Sequence, residues 1–227
     1  MKKIYFDQAS TSYPKAPHVT DAMVRYMTQV GANVNRGCYE NAYSAEEMVY
    51  ETREQLCRLF HFEKSKNVIF TNNVTTSLNI ILKGLLKPGD HVLVTSMEHN
   101  AVMRPLVQLT GQGVTFDRIP CTSDGSLLLK QAKKLLTPRT RLLVCLHASN
   151  VCGTIMPARE IGQFCREHGL LFILDTAQTA GTIPVDMEDL QISALAYTGH
   201  KGLRGPQGTG GFLIRSELVS QIDPLLS

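Results

Sequence analysis

The stretch "LLFILDTA" (170–177) decides the fold, because an uninterrupted apolar run ends there in an aspartate. A run with no polar alternation is typical of a parallel strand that is buried on both faces. Similar short runs, rich in apolar and β-branched residues, occur at 67–71, 91–96, 114–120, 141–149, 194–199 and 209–215. Helical patterns separate most of them. This order predicts an α/β domain with a mostly parallel central sheet and helices on both faces.

Apolar residues at helical spacing predict four helices between these strands, at 75–85, 101–109, 127–136 and 158–169. Two earlier helices are predicted at 17–30 and 44–60. Ser44 and Glu47 have the spacing of a capping box, in which both side chains satisfy backbone N–H groups at a helix start. We therefore expect the second of these helices to begin at Ser44.

The composition excludes several classes of protein. The 227 residues are 43% hydrophobic, and 23 basic against 20 acidic side chains leave a net charge of only +3, so neither nucleic acid nor a membrane surface is an expected partner. The longest apolar runs are far shorter than the roughly 20 residues that span a bilayer. Six cysteines without CxxC spacing, and no secretory signal, favour a reduced, cytoplasmic protein.

Polar side chains follow five of the predicted strands, and ligands of open α/β sheets bind where such strands end. These side chains are Thr75, Thr76, His99, Asn150, Asp175, Gln178 and Lys201. Most have an ordinary structural explanation when they are considered alone. Thr75 could cap a helix, His99 could be hydrogen-bonded in a loop, and Asn150 could belong to a turn.

Asp175 is costly to bury unless a positive group meets it. A protonated pyridine nitrogen, a metal ion or an arginine would serve, and a salt bridge or a helix cap is the structural alternative. A lone aspartate without a neighbouring HxH or HxxE cluster is a poor metal site. Cys152, two residues after Asn150, is interpreted as a small, half-buried thiol, because no histidine base lies close in the sequence.

Lys201 lies in the glycine-rich stretch "TGHKGLRGPQGTGG" (198–211). A phosphate-binding loop of the Walker type would read GxxxxGK[ST], with its lysine at the end and a hydroxyl residue next. Here Gly202 follows the lysine, and most of the glycines come after it. The order favours an enclosed amine that loses its proton readily and attacks a carbonyl carbon.

Taken together, the strand ends supply a set of groups that matches one cofactor. Two threonines suit a phosphate, a histidine suits ring stacking, and an aspartate suits a protonated ring nitrogen. Gln178 or Asn150 suits a ring oxygen, and Lys201 suits an aldehyde. Pyridoxal 5′-phosphate has all of these features.

The chain resembles the class V aminotransferase family of pyridoxal-phosphate enzymes, in particular the cysteine desulfurases and selenocysteine lyases. The resemblance extends over essentially the whole sequence, in the order of the family. Its motifs are "YFDQASTSYP", "NVNRG", "TNNVTTSLNIIL", "MEHNAV", "SNVCGTI", "DTAQTAG" and "TGHKGLRGPQGTGGFLIR". It implies a fold type I large domain over 1–227, with an N-terminal segment at 1–40.

The resemblance also implies roles for individual residues. Lys201 corresponds to the lysine that forms a Schiff base with the cofactor, Asp175 to the partner of the pyridinium nitrogen, and Gln178 to the partner of the ring hydroxyl. His99 would stack on the ring and move protons, and Asn150 would lie near the ring oxygen and the substrate. The residues that would hold the phosphate are Thr75, Thr76, Thr198 and His200.

The chain departs from the family pattern in two respects. Ser77 stands where many members carry a glutamate. The C-terminal small domain, which in the family carries the persulfide cysteine and an arginine for the substrate carboxylate, is expected to be absent from this chain.

The resemblance implies a homodimer that takes cysteine or selenocysteine, gives alanine and an enzyme persulfide, and passes sulfur to an acceptor protein. Another class V reaction, transamination or elimination, uses the same residues. A cofactor-binding module without turnover is the third reading of the chain.

Overall fold

A computed structural model describes residues 4–225. Its seven strands form one sheet in the order β1-β7-β6-β5-β4-β2-β3, and β7 is the strand that runs antiparallel to its neighbours. The strands are β1 (Val68–Thr71), β2 (His91–Thr95), β3 (Thr115–Ile119), β4 (Thr140–Leu146), β5 (Leu171–Asp175), β6 (Ala194–Thr198) and β7 (Gly210–Ile214). Each strand coincides with a predicted run, so the predicted mostly parallel α/β sheet is confirmed.

The helices cover both faces of this sheet. They are α1 (Val19–Arg25), α2 (Glu40–Phe60), α3 (Val74–Leu85), α4 (Asn100–Thr110), α5 (Ala132–Leu135), α6 (Ala158–Glu167) and α7 (Ser216–Val219). Successive side chains of β4 enter different cores: Leu143 packs with α2 and α6, whereas Leu142 packs with α3 and α4. Burial on both faces explains why the central strands are apolar throughout.

The helix predicted at 17–30 is present as α1 followed by a π-helix at Tyr26–Val30, and two other helices differ from the prediction. Helix α2 begins at Glu40, so Ser44 lies inside it and the predicted capping box is wrong. Its buried face already starts at Ala42, two residues before the serine, and continues at Ala45. The helix predicted at 127–136 is reduced to a 3₁₀ turn at 129–131 and α5, because Leu127 is drawn into a bridge with Cys121.

The register brings the carboxyl ends of three strands together. Leu146, the last residue of β4, pairs with Asp175, the last residue of β5, and Asp175 pairs with Ala196 of β6. Within residues 4–225, no helix has the length and apolar content needed to cross a membrane.

Candidate active site

A pocket opens at the carboxyl ends of β4, β5 and β6. It is lined by Val74, His99, Leu146, Ala148, Asn150, Asp175, Ala177, Gln178 and Lys201. Five of the nine predicted site residues therefore share one cleft, although they come from four separate segments of the chain. Leu146 and Asp175, which end β4 and β5 side by side, are called the pocket floor below.

Asp175 is a buried carboxyl group, only 4% exposed. Its Oδ1 accepts a hydrogen bond of 2.8 Å from the backbone N–H of Ala177, and among residues 4–225 no cation forms an ion pair with it. Burial raises the pKa of Asp175 above its ordinary value, while the Ala177 N–H, His99 and Lys201 oppose that rise. The carboxylate is thus poised to gain from a cation that enters the pocket.

Lys201 also lines the pocket and is half-buried. Burial lowers the pKa of its ammonium group, and the charge of Asp175 opposes the effect. A lower pKa increases the fraction of neutral amine, which is the nucleophilic form. Gly202 lets the loop pack this closely, since a Cβ atom there would lie 2.2 Å from the Ala180 carbonyl oxygen.

His99 is the N-cap of α4. Its Nδ1 accepts a hydrogen bond of 3.0 Å from the backbone N–H of Ala101. A ring nitrogen that accepts carries no proton, so the neutral ring of His99 bears its proton on Nε2. The ring itself is exposed at the pocket edge, where it can contact a planar ligand.

Gln178 and Asn150 complete the polar lining. The Gln178 side chain donates from Nε2 to the carbonyl oxygen of Ala9 at 3.0 Å, so it joins the pocket to the N-terminal segment. Asn150 is exposed and precedes a turn in which Gly153 adopts a φ of 75°. The turn chemistry predicted for this segment is present, and it leaves the Asn150 side chain facing the pocket.

Thr75, Thr76, Thr198 and His200 do not line this pocket, although each lies within three residues of Val74 or Lys201, which do. Asn73, rather than Thr75, caps α3: its Oδ1 accepts from the backbone N–H of Thr76 at 2.8 Å. The start of α3 lies against β7, because a Cβ atom on Gly210 would be 2.8 Å from Asn73 Cα. Gly210 in turn pairs with Thr198, so the first turn of α3 and the end of β6 are neighbours.

An N-terminal segment forms part of the site, although the sequence suggested no role for its residues individually. This N-terminal strap, residues 7–16, converges on the carbonyl oxygen of His200, which accepts from Ser12 N at 2.9 Å and Ser12 Oγ at 2.9 Å. Thr11 Oγ1 and Lys15 Nζ also donate to this oxygen, each at 3.1 Å. The strap therefore fixes the residue directly before Lys201.

Cys152 departs from its interpretation as a half-buried thiol, because the structure exposes it. Hydrogen bonds with Ser149 and Thr154 lower the pKa of the Cys152 thiol to about 7. The sequence pattern around Cys152 did not reveal this exposure. The residue is two positions from Asn150, which lines the pocket, but Cys152 is not itself part of the lining.

Known proteins resemble the chain over nearly all of its length. Residues 4–227 match the family model described as aminotransferase class-V. A probable mitochondrial cysteine desulfurase of Dictyostelium discoideum is 32% identical over 226 residues, which make up 98% of this chain and 50% of the relative. A probable cysteine desulfurase of Halobacterium salinarum is 33% identical over 228 residues, 98% of this chain and 54% of the relative. The chain spans about half the length of these relatives.

Solved structures show the same arrangement of elements. The apo structure of a cysteine desulfurase from Thermococcus onnurineus superposes with a TM-score of 0.92 at 32% identity, over 99% of this chain and 56% of that one. A structure described as SspA in complex with cysteine gives a TM-score of 0.91 at 27% identity, over 99% of this chain and 65% of that one.

Proposed function

The chain belongs to the class-V aminotransferase family, and on this premise we propose that it forms the cofactor-binding part of a pyridoxal-phosphate-dependent, cysteine desulfurase-like enzyme. The complete protein would take cysteine or selenocysteine, release alanine, and retain the sulfur as a persulfide. The convergence of Asp175, His99 and Lys201 on one pocket carries this proposal. Relatives with the same fold and similar sequence are described as cysteine desulfurases.

The groups around the pocket fit the cofactor. Asp175 is a buried carboxyl group with no ion-pair partner among the described residues, which suits a protonated pyridine nitrogen. Lys201 offers an amine with a lowered pKa to the aldehyde carbon. The first turn of α3 contains Thr75 and Thr76, and the positive end of its helix dipole favours a bound phosphate. Thr198 and His200 lie near this turn, because Thr198 pairs with Gly210.

When bound, pyridoxal phosphate supplies an electron sink for the negative charge that develops at the substrate α-carbon. Asp175 keeps the positive charge of the ring nitrogen in place. Lys201 Nζ is proposed to bind the aldehyde carbon and to move protons at the α-carbon, and His99 to stack on the ring and carry a proton at Nε2. Gln178 and Asn150 are proposed to orient the ring oxygen and the substrate.

Spectroscopy tests the cofactor site. The purified protein mixed with pyridoxal phosphate is expected to gain a visible absorption band, because condensation of the Lys201 amine with the aldehyde, with loss of water, joins the two. Borohydride reduction followed by peptide mass spectrometry should find the label on Lys201. Lys201→Ala should lose both signals, while the exposed Lys133→Ala keeps them. A folded wild-type protein that stays colourless and unlabelled contradicts the proposal.

Product analysis of the complete protein tests the reaction. Alanine formed from cysteine together with sulfide, released by a thiol reductant, is the expected outcome. Amine transfer to a keto acid would instead indicate a transaminase, and pyruvate with ammonia would indicate an elimination. These reactions share the pocket residues, so they are distinguished by products and not by cofactor binding.

The proposal also covers the oligomeric state of the protein, its protein partner and its location in the cell. A homodimer is proposed, and exposed apolar side chains of α1 and α2, among them Met23, Val24 and Tyr43, support it because such surfaces are commonly covered by a partner. Light scattering after gel filtration measures the association state. We also propose a sulfur-acceptor protein as a partner. A cytoplasmic location is proposed because the cysteines are free thiols, which are typical of a reducing compartment.

A further inference from the structure

Glu98, directly before His99, is a half-buried acidic residue whose carboxyl group is turned away from water, and the mechanism proposed above gives it no role. Its Oε1 accepts two hydrogen bonds, from Thr95 Oγ1 at 2.6 Å and from the backbone N–H of Leu146 at 3.0 Å. Its Oε2 is also buried, and among residues 4–225 nothing is bonded to it. An interior carboxyl group with one bonded and one unbonded oxygen requires a physical account.

The two hydrogen bonds join separate strands at the site. Thr95 ends β2, and Leu146 ends β4 and forms part of the pocket floor. Thr95 Oγ1 also accepts a hydrogen bond from the backbone N–H of Met97 at 3.3 Å. Hydrogen bonds therefore hold both Met97 and Glu98 in the short connection from β2 to α4. His99 follows immediately, so its position relative to the pocket floor depends on this connection.

The charges around Glu98 oppose its ionisation. Asp175 faces it from β5 and repels a second negative charge, and Cys145 faces it from β4. The two hydrogen bonds to Oε1 work in the opposite direction but do not outweigh burial. Burial, with a smaller contribution from Asp175, raises the pKa of Glu98 to about 8.

We propose that Glu98 is a positioning residue that acts as a neutral carboxylic acid, locking the β2–α4 connection to the end of β4 so that His99 is held at the pocket edge. Asp175 is the only acidic residue among the described residues that line the pocket, and a neutral Glu98 places no negative charge near it. The importance of His99 for catalysis rests on the proposed function, whereas the neutral state and the locking contact do not.

A glutamine variant separates the proposal from its alternatives, because glutamine is neutral and retains the Oε1 acceptor. In the wild type without added cofactor, the Glu98 contribution to stability is complete below the pKa of about 4.3 of an unfolded glutamate and is lost as pH rises towards 8. Urea titrations should therefore show the unfolding constant of the wild type rising, relative to Glu98→Gln, by about tenfold per pH unit across this window. An unchanged ratio from pH 5 to 8 would overturn the neutral state.

The position of His99 is a second readout. With ¹³C-labelled histidine, the ring signals of His99, assigned by its own substitution, should match the wild type in Glu98→Gln at pH 6 and shift or broaden in Glu98→Ala. Ring signals that stay in place in Glu98→Ala, or move equally in both variants, would overturn the positioning role. If Glu98→Ala does not fold, the glutamine variant decides alone, since displaced His99 signals in it contradict the role. A protein that never binds cofactor would defeat the proposed function and leave these measurements valid.

Discussion

At the pocket floor, Asp175 is a carboxyl group inside buried strands, whereas in the N-terminal strap Ser12 is a donor that reaches a carbonyl 188 residues further along the chain. Both regions control the surroundings of Lys201. The floor acts through charge and desolvation, and the strap acts through ordinary hydrogen bonds to backbone oxygen. Changes at the floor should therefore alter chemistry far more than folding, and changes in the strap should do the reverse.

The largest expected effect comes from Asp175→Asn, which retains the shape of the floor and removes its charge. Activity of the complete enzyme should fall by about 10²–10³-fold, as for other groups that stabilise charge in a transition state. Without cofactor, the same variant should resist urea better at pH 7, because burial raises the pKa of Asp175 and ionising it costs stability as pH rises. Asp21→Asn, exposed on α1, is the control. Full activity in Asp175→Asn would show that the floor charge is dispensable.

Gly202 lies where the Lys201 loop packs against Ala180, and Gly202→Ala is expected to have the next largest effect. The new Cβ atom would be 2.2 Å from the backbone oxygen of Ala180, so an overpacking cost of about 1–3 kcal/mol in the free energy of unfolding is expected. Gly208 has a φ of 80° and open space around it. Gly208→Ala should therefore lower the free energy of unfolding by only about 1 kcal/mol. Urea unfolding measures both, and equal losses would mean that close packing at Gly202 is unimportant.

Ser12→Ala tests the strap. Ser12 is buried, and its hydroxyl donates to the His200 carbonyl at 2.9 Å. Losing this bond should lower the free energy of unfolding by about 1 kcal/mol. Amide hydrogen exchange should also become faster at Lys201–Arg204. The exposed Ser10→Ala should change neither quantity, and a similar effect of both substitutions would argue against a specific strap contact.

Cys152, which is exposed and two residues after Asn150, should show the smallest effect on the fold and a distinct pH dependence. Because hydrogen bonds with Ser149 and Thr154 lower its pKa to about 7, alkylation by iodoacetamide should be half-maximal near that pH. Below it, the rate should fall about tenfold per pH unit. A Cys38→Ser background removes another exposed thiol, and Cys145 and Cys165 are buried. A rate still rising steeply at pH 9 would contradict this behaviour.

The sheet was predictable because its strands are buried on both faces, which leaves a continuous apolar signal in the sequence. The same signal led to Asp175, because a carboxylate at the end of a buried strand is costly unless a positive group or a hydrogen-bond donor meets it. It could also have led to Glu98, which follows the fully buried β2 by three residues. The roles of Thr75, Thr76, Thr198 and His200 in holding phosphate stay predictions.

Other features left no local signal. The start of α2 was placed wrongly because Ser44 and Glu47 imitate a capping box inside a helix. The strap contacts join residues at opposite ends of the described chain, so no window of sequence contains both partners. The exposure of Cys152 was not predictable either, because a cysteine beside a turn can be buried or exposed and the residue type does not decide which.

The reach of the strap has a consequence for how the pocket is made. A ribosome must synthesise residues 7–16 long before the His200 carbonyl exists, so their donors remain with water during most of translation. Bringing Ser12 and His200 together closes a long loop, which costs more chain entropy than forming a local helix or pairing strands that are close in the sequence. We therefore expect the strap to be among the last parts to gain protection in pulsed hydrogen exchange during refolding, after β4 and β5. The pocket would then be completed only after the sheet around it has formed. Binding of the cofactor would therefore indicate that folding is complete.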